Sequence, residues 1–229
     1  MKRNQSGFTL IEIAIVLVII GLLLGGVLKG QELINSAKVK NLASDFKNIP
    51  VFIYGYQDKF KALPGDDAHT ATHLAGGVAP VPCAPAGSAG HCVTGNGIID
   101  GAWNATGITD ESYVFWQHVR LAGLAAGSTD TTAADYAPIN AVGGRIGITN
   151  ATTANLPVTG LHGSYIICSG GIQGRFARQL DTTLDDGNTT TGSVMVIADQ
   201  TAVQTATQTP VASTTANFDD TNYTVCMGF

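Results

Sequence analysis

Charge is what this chain has least of, and it is unevenly placed. Only 13% of its 229 residues are charged, and no lysine occurs beyond Lys61. From residue 62 onward four arginines stand against thirteen carboxylates, a net charge of −9. A nucleic-acid binder needs cations to neutralise phosphates, so this acidic region argues against that class of partner, and no nucleic-acid role is expected. The one route back is clustering of Arg120, Arg145, Arg175 and Arg178 in space. Aromatic residues make up 7%. With abundant Ala, Thr and Gly, the 45% hydrophobic count overstates the large-side-chain core, and a loop-rich domain is expected.

Catalytic and metal patterns are also missing. Ser164 and Ser169 have no G-x-S-x-G around them. His69 and His73 have helical ligand spacing but lack the glutamate of H-E-x-x-H, so they read as ordinary surface histidines. Cys83, Cys92, Cys168 and Cys226 show no C-x2-C spacing, which makes a zinc site a poor reading. Thr94 to Asp100 has the glycine and isoleucine of a calcium loop. Aligning Gly97 with the loop's glycine puts Cys92 and Trp103 where carboxylates are required, so the segment reads as a turn. The chain is not expected to be an enzyme, and no cofactor is expected. Asp185, Asp186 and Asn188 offer oxygens suited to calcium, but helix capping and turn formation are the preferred account of them.

What is present starts at the amino terminus, with one long apolar run. Phe8 to Leu28 is 21 residues with a single charge, Glu12. As a helix it spans about 31 Å, the thickness of a bilayer's hydrocarbon core. Lys2 and Arg3 precede it and bias that end to the cytoplasm, leaving the rest of the chain outside. The run exceeds the apolar stretch of a signal peptide, and Leu28, Lys29, Gly30 and Gln31 make no convincing A-x-A cleavage site. A plain anchor explains the length but not Glu12, since an intramembrane carboxylate costs about 2.5 to 3.5 kcal/mol on insertion scales.

The segment Gly7-Phe8-Thr9-Leu10-Ile11-Glu12 resembles the cleavage and methylation motif of type IV prepilins and of the related type II secretion pseudopilins. Order, spacing, short basic leader and apolar run all coincide. The resemblance implies cleavage after Gly7, N-methylation of Phe8 and an assembly role for Glu12, whose carboxylate would meet the terminal ammonium of a neighbouring subunit. It further implies a prepilin peptidase and methyltransferase, an inner-membrane assembly machinery and a homo- or hetero-oligomeric filament as partners. The expected location is a single pass in the inner membrane with the head in the periplasm, then an extracellular pilus or a periplasmic pseudopilus. The first alternative function is a pseudopilin of a secretion system, and the second a tethered ligand-binding head.

The expected fold is α+β and pilin-like, a long amino-terminal helix packed on an antiparallel sheet. The expected divisions are a leader at 1–7, a membrane or filament-core helix at 8–28, an amphipathic continuation at 29–61 and a head at 62–229. Leu42, Phe46, Ile49, Ile53, Tyr56 and Phe60 recur at spacings of three and four, one stripe of a helix that should bury against the head. Pro50 interrupts it, so a kink or local break is expected near Asn48. Ala62 to Asp67 carries turn chemistry that ends the helix.

Further helices are predicted over 111–124, carrying Trp116 into the core, and over 174–185. Strands are predicted over 145–149, 164–169, 193–198 and 223–228, and the Thr-rich stretch 201–217 reads as a surface loop. The segments KALPGDD, ESYVFWQHVRLAGL and LDTTLDDGNTTTGSV resemble recurring features of a subgroup of larger pilin-like proteins, which adds no role to individual residues.

An even cysteine count in an exported chain suggests two disulfides, with three connectivities. The favoured pairing is Cys83 with Cys92, closing a Pro- and Gly-rich loop, and Cys168 with Cys226. The second resembles the carboxy-terminal disulfide loop of many type IV pilins.

Overall fold

The computed structural model describes residues 9–74, 95–152 and 156–229. The chain divides into two compact units, Met1–Lys38 and Val39–Phe229.

One helix, α1 (Leu10–Phe60), begins in the first unit and ends in the second. Its start is specified by sequence. Thr9 is the N-cap, its hydroxyl accepting the amide of Glu12 at 3.3 Å, while the Glu12 carboxylate accepts the Thr9 amide at 2.8 Å and the Thr9 hydroxyl at 2.7 Å. This reciprocal arrangement is a capping box, in which two backbone donors that a helix end leaves unpaired find partners. The helix stays helical through Pro50, so no break occurs near Asn48. The missing proline amide is a local loss, and the apolar stripe continues past it: Leu42, Phe46, Ile49, Ile53 and Tyr56 are buried, as are Val39 and Ala43. Phe60, the last of the stripe, is half-buried. Lys61 then takes a left-handed conformation (φ 56°) and the chain turns away.

In the second unit, a single helical turn α2 (Thr70–His73) and helix α3 (Glu111–Leu121) precede β1 (Ile146–Asn150), β2 (Tyr165–Gln173), α4 (Gly174–Leu184), β3 (Val194–Ala198), a 3-10 turn at Phe218–Asp220, and β4 (Asn222–Gly228). The four strands form an antiparallel sheet of order β1-β2-β4-β3, giving an α+β, pilin-like head. Between Ser169 and Ile172 the β2–β4 register shifts. Gly171 lies there at φ 67°, a conformation that favours glycine in a bulge.

Both faces of the sheet are covered, which explains why β1 is buried at every position. Ile146, Ile148, Ile167, Val194, Val196 and Val225 join the α1 stripe, Phe115, Trp116, Phe176 and Leu180 in the larger core. Ile166, Cys168, Met195, Ile197 and Cys226 form a second core with Trp103, Val158 and Leu161. The simple expectation of a sheet on a helix had only the first of these.

Candidate functional site

Two regions carry the functional candidates, the amino-terminal half of α1 and the loops of the head. In the first unit the helix buries nothing in its most apolar stretch. Leu10 is 94% exposed, Leu22 74% and Leu28 67%, and the intervening Ile, Val and Leu side chains are exposed as well. The helix is long and apolar enough to cross a membrane. Gly21, Gly25 and Gly26 leave bare backbone on it, where an added Cβ would meet nothing within 4 Å. A helix that is apolar all round belongs in lipid or among other helices. Glu12 is the exception on this surface, and the chain meets its hydrogen-bonding needs locally through Thr9. Phe8 and Gly7 lie outside the described residues. Cleavage between them would leave the Phe8–Thr9 peptide, and so the amide that Glu12 holds, in place.

In the head, Cys168 and Cys226 are disulfide-bonded, facing each other in register on the central strands β2 and β4 with Cα atoms 4.1 Å apart. Cys83 and Cys92 lie outside the described residues. Each of the four arginines has partners within the head. Arg120 donates to the carbonyls of Ala126, Ser128 and Tyr136, and Arg145 to that of Ala105. Arg175 and Arg178 pair with Asp220 and Asp219 at 2.9 and 2.8 Å.

His69 and His73 belong to a structural network rather than a ligand pair. His73 Nδ1 lies 2.7 Å from Asp67 Oδ2, which also accepts the Tyr56 hydroxyl at 2.8 Å. Burial alone would raise the Asp67 pKa, but hydrogen bonds from His73, the His69 amide and Tyr56 outweigh it and hold the group below its usual value. Behind them His118 is buried and accepts the Gly65 amide at Nδ1, 2.9 Å away. Burial pushes its pKa down to about 4, against the pull of Asp67. Asp66 accepts the amides of Gly95, Asn96 and Gly97, so the turn expected there is held by a carboxylate from the end of the α1 connection.

In the acidic loop after α4, the residues singled out from the sequence were Asp185, Asp186 and Asn188. Asn188 turns to its own loop, its side-chain oxygen accepting the Thr190 hydroxyl at 2.9 Å and the Thr190 amide at 3.3 Å. Asp181 also gathers with Asp185 and Asp186, one carboxylate oxygen of each lying within 4.8 Å of the others. Sequence reasoning passed over Asp181 because it reads as part of a helix. The available signal was its spacing, one helical turn before Asp185.

Neither the curated proteins nor the solved structures include a match to this chain. A family match lies at the amino terminus and covers the capped start of α1 together with its apolar run. Residues 2–28 match the family described as the prokaryotic N-terminal methylation motif, so the chain carries the prepilin-type motif of type IV pilins and pseudopilins.

Proposed function

We propose that the chain is a non-enzymatic structural subunit of a type IV pilus or pilus-like filament, cut after Gly7 by a prepilin peptidase, methylated at Phe8 and assembled through α1. The observation that carries this reading is the pairing of the motif with a helix whose apolar residues from Leu10 to Leu28 are all exposed. Before assembly such a surface belongs in the inner membrane, with the head on the periplasmic side, and in a filament the same residues pack against copies or relatives of the chain.

Glu12 works in both states. In the single helix its carboxylate is held by the Thr9 amide and hydroxyl, which lowers the cost of placing it in lipid. In a filament it adds the Phe8 ammonium of a neighbouring subunit, a charge pairing that only correct docking supplies. Filament position and register follow from that pair.

The test compares membrane-fraction and sheared-filament protein for the wild type and Glu12→Val, with mass spectrometry of the amino terminus. Insertion and cleavage persist in the variant, while filament yield falls at least tenfold. Equal yield with unchanged processing overturns the role of Glu12, and an intact Met1 in purified filaments overturns the cleavage. Deletion of the gene separates the two filament types: loss of surface pili supports a pilus, and loss of protein export a secretion pseudopilus.

A further inference from the structure

The bulge in β2 opens a hollow in the head. Gly170 and Gly171, at the register shift, line a cavity of about 320 Å³ together with Gly144, Arg145 and the stretch from Asp199 to Thr201. Trp103 lies in its wall, the indole Nε1 donating to Gln200 Oε1 at 3.0 Å. A Cβ at Gly170 would stand 3.3 Å from Asp199 Oδ1 and 3.5 Å from Trp103 Cη2, so the missing side chain keeps the floor between them open. The volume is at the low end for small-molecule sites and suits one small ring.

The charges lining this hollow are incompletely satisfied. Arg175 and Arg178 pair with carboxylates, and Arg120 donates to three carbonyls. Arg145 makes one hydrogen bond, from Nη2 to the Ala105 carbonyl, and its guanidinium lies over Tyr113, 6.0 Å from the ring centre. Its Nε is buried without a partner, Nη1 donates to nothing among the described residues, and no carboxylate there pairs with it. Ala105 lies between Asn104 and Thr106, both of which line the cavity, so the guanidinium stands at that side of it. A guanidinium with donors to spare is suited to a carboxylate. Asp199 lines the same hollow. Its Oδ1 accepts the Gly171 amide at 2.9 Å and the Thr224 hydroxyl at 3.1 Å, while Oδ2 accepts nothing among the described residues. The side-chain NH2 of Gln200 and the hydroxyls of Thr106 and Thr201 are likewise uncommitted there.

We propose that this cavity binds one carboxylate-bearing sugar, a hexuronic acid at the end of a glycan, with its carboxylate on Arg145 and its hydroxyls on Asp199, Gln200 and the two threonines. Each sugar hydroxyl both donates and accepts, which matches a lining that offers a carboxylate acceptor, amide donors and two hydroxyls. A phosphate would bring a second negative charge beside Asp199, and a zwitterionic amino acid would leave the neutral groups idle. The region from residue 62 onward carries a net charge of −9, which repels polyanions, so the fitting class is a lone acidic sugar on an otherwise neutral chain. The site asks nothing of α1 or of assembly, and it can fail without the filament reading failing.

The experiment titrates the full chain, in micelles of a sugar-free detergent, with glucuronate and with galacturonate, and follows the two tryptophan indole N–H signals by NMR. Trp103 lines the cavity and reports binding, while Trp116, on α3 in the larger core, is the internal control. The Trp103 signal shifts with a dissociation constant of about 1 mM, ordinary for a one-ring ligand, and Trp116 stays in place. Glucuronamide, which keeps the ring and loses the charge, binds at least tenfold more weakly than glucuronate. Acetate and glycine at the same concentrations leave Trp103 unmoved. Arg145→Gln removes the preference for the acid over the amide. The proposal is overturned if neither uronate shifts Trp103, if Trp116 moves equally, if the amide binds as well as the acid, or if acetate or glycine gives the same shift. A preference unchanged in Arg145→Gln also overturns it, and should that variant not fold, the comparison of acid with amide on the wild type decides alone.

Discussion

The two units of this chain use the same aliphatic residues in opposite ways. In Val39–Phe229, Leu42, Ile53, Ile148 and Ile166 are wholly buried, and each contributes about 1.5 to 3 kcal/mol to holding the head together. In Met1–Lys38, Leu17, Leu22 and Leu24 are more than half exposed and contribute nothing to the folding of the single chain. A surface of that kind is stabilised only by what surrounds it, lipid or other helices. The contrast teaches that stability of the head and stability of the assembly are separate quantities here, which substitutions can move independently.

The sharpest test sets one residue from each unit side by side. Phe46→Ala opens a cavity in the larger core and should destabilise the head by about 3 to 5 kcal/mol. Leu17→Ala should leave the head's melting temperature unchanged and lower filament yield instead. A Leu17→Ala chain whose head melts early would mean that the two quantities are coupled after all.

Next in size is the disulfide. Replacing Cys168 and Cys226 by Ala removes a cross-link closing 58 residues, an expected loss of about 2 to 4 kcal/mol in denaturant unfolding. Amide exchange in the apolar half of α1 should not change. A third expectation concerns pH. His118 has a folded-state pKa of about 4, below its ordinary value near 6.5. Between those values the unfolded chain binds the proton and the folded chain does not. Stability from this group is therefore complete above about pH 6.5 and is lost as the pH falls towards 4, in total on the order of 3 kcal/mol. Asp67, Tyr56 and the Gly65 amide face the ring, and the Asp67 carboxylate opposes the shift. His118→Gln should flatten the curve of head stability between pH 6.5 and 4, and an unflattened curve assigns the acid sensitivity elsewhere.

The smallest effect belongs to the capped start of α1. Thr9→Ala removes the hydroxyl half of the capping box, a cost of about 1 kcal/mol. Exchange of the first amides of α1 in micelles should quicken roughly fivefold, with the head unaffected.

Much of this architecture was legible because its signals are periodic or local. The stripe from Leu42 to Tyr56 announced a half-buried helix, and each of the four strands lies within a few residues of its β-branched run. The break at Pro50 was misread, because local propensity argues against a mid-helix proline while Phe46, Ile49 and Ile53 bury enough apolar surface around it to keep the helix continuous. The second core was invisible for a different reason. Trp103, Val158 and Leu161 sit in stretches without regular structure, and no period marks a loop that folds over a sheet. Phe218–Asp220 and Thr70–His73 are single turns, too short for any pattern to register. Asp181 shows the same limit in the acidic loop, since nothing in a helical sequence says that its carboxylate will gather with those of Asp185 and Asp186.

The bond between β2 and β4 also has a mechanical meaning. If tension enters the head through α1 and leaves through its carboxyl end, as it would in a filament under load, the force reaches Cys168, crosses to Cys226 and bypasses everything between. The intervening 58-residue separation holds α4, β3, the Thr-rich loop and the acidic turn, and none of it bears load while the bond is oxidised. At about 3.4 Å per extended residue, roughly 190 Å of chain is withheld from extension. Single-molecule pulling of the head should show a contour length longer by about that amount once a reductant is added. An unchanged length would mean that the load takes another path.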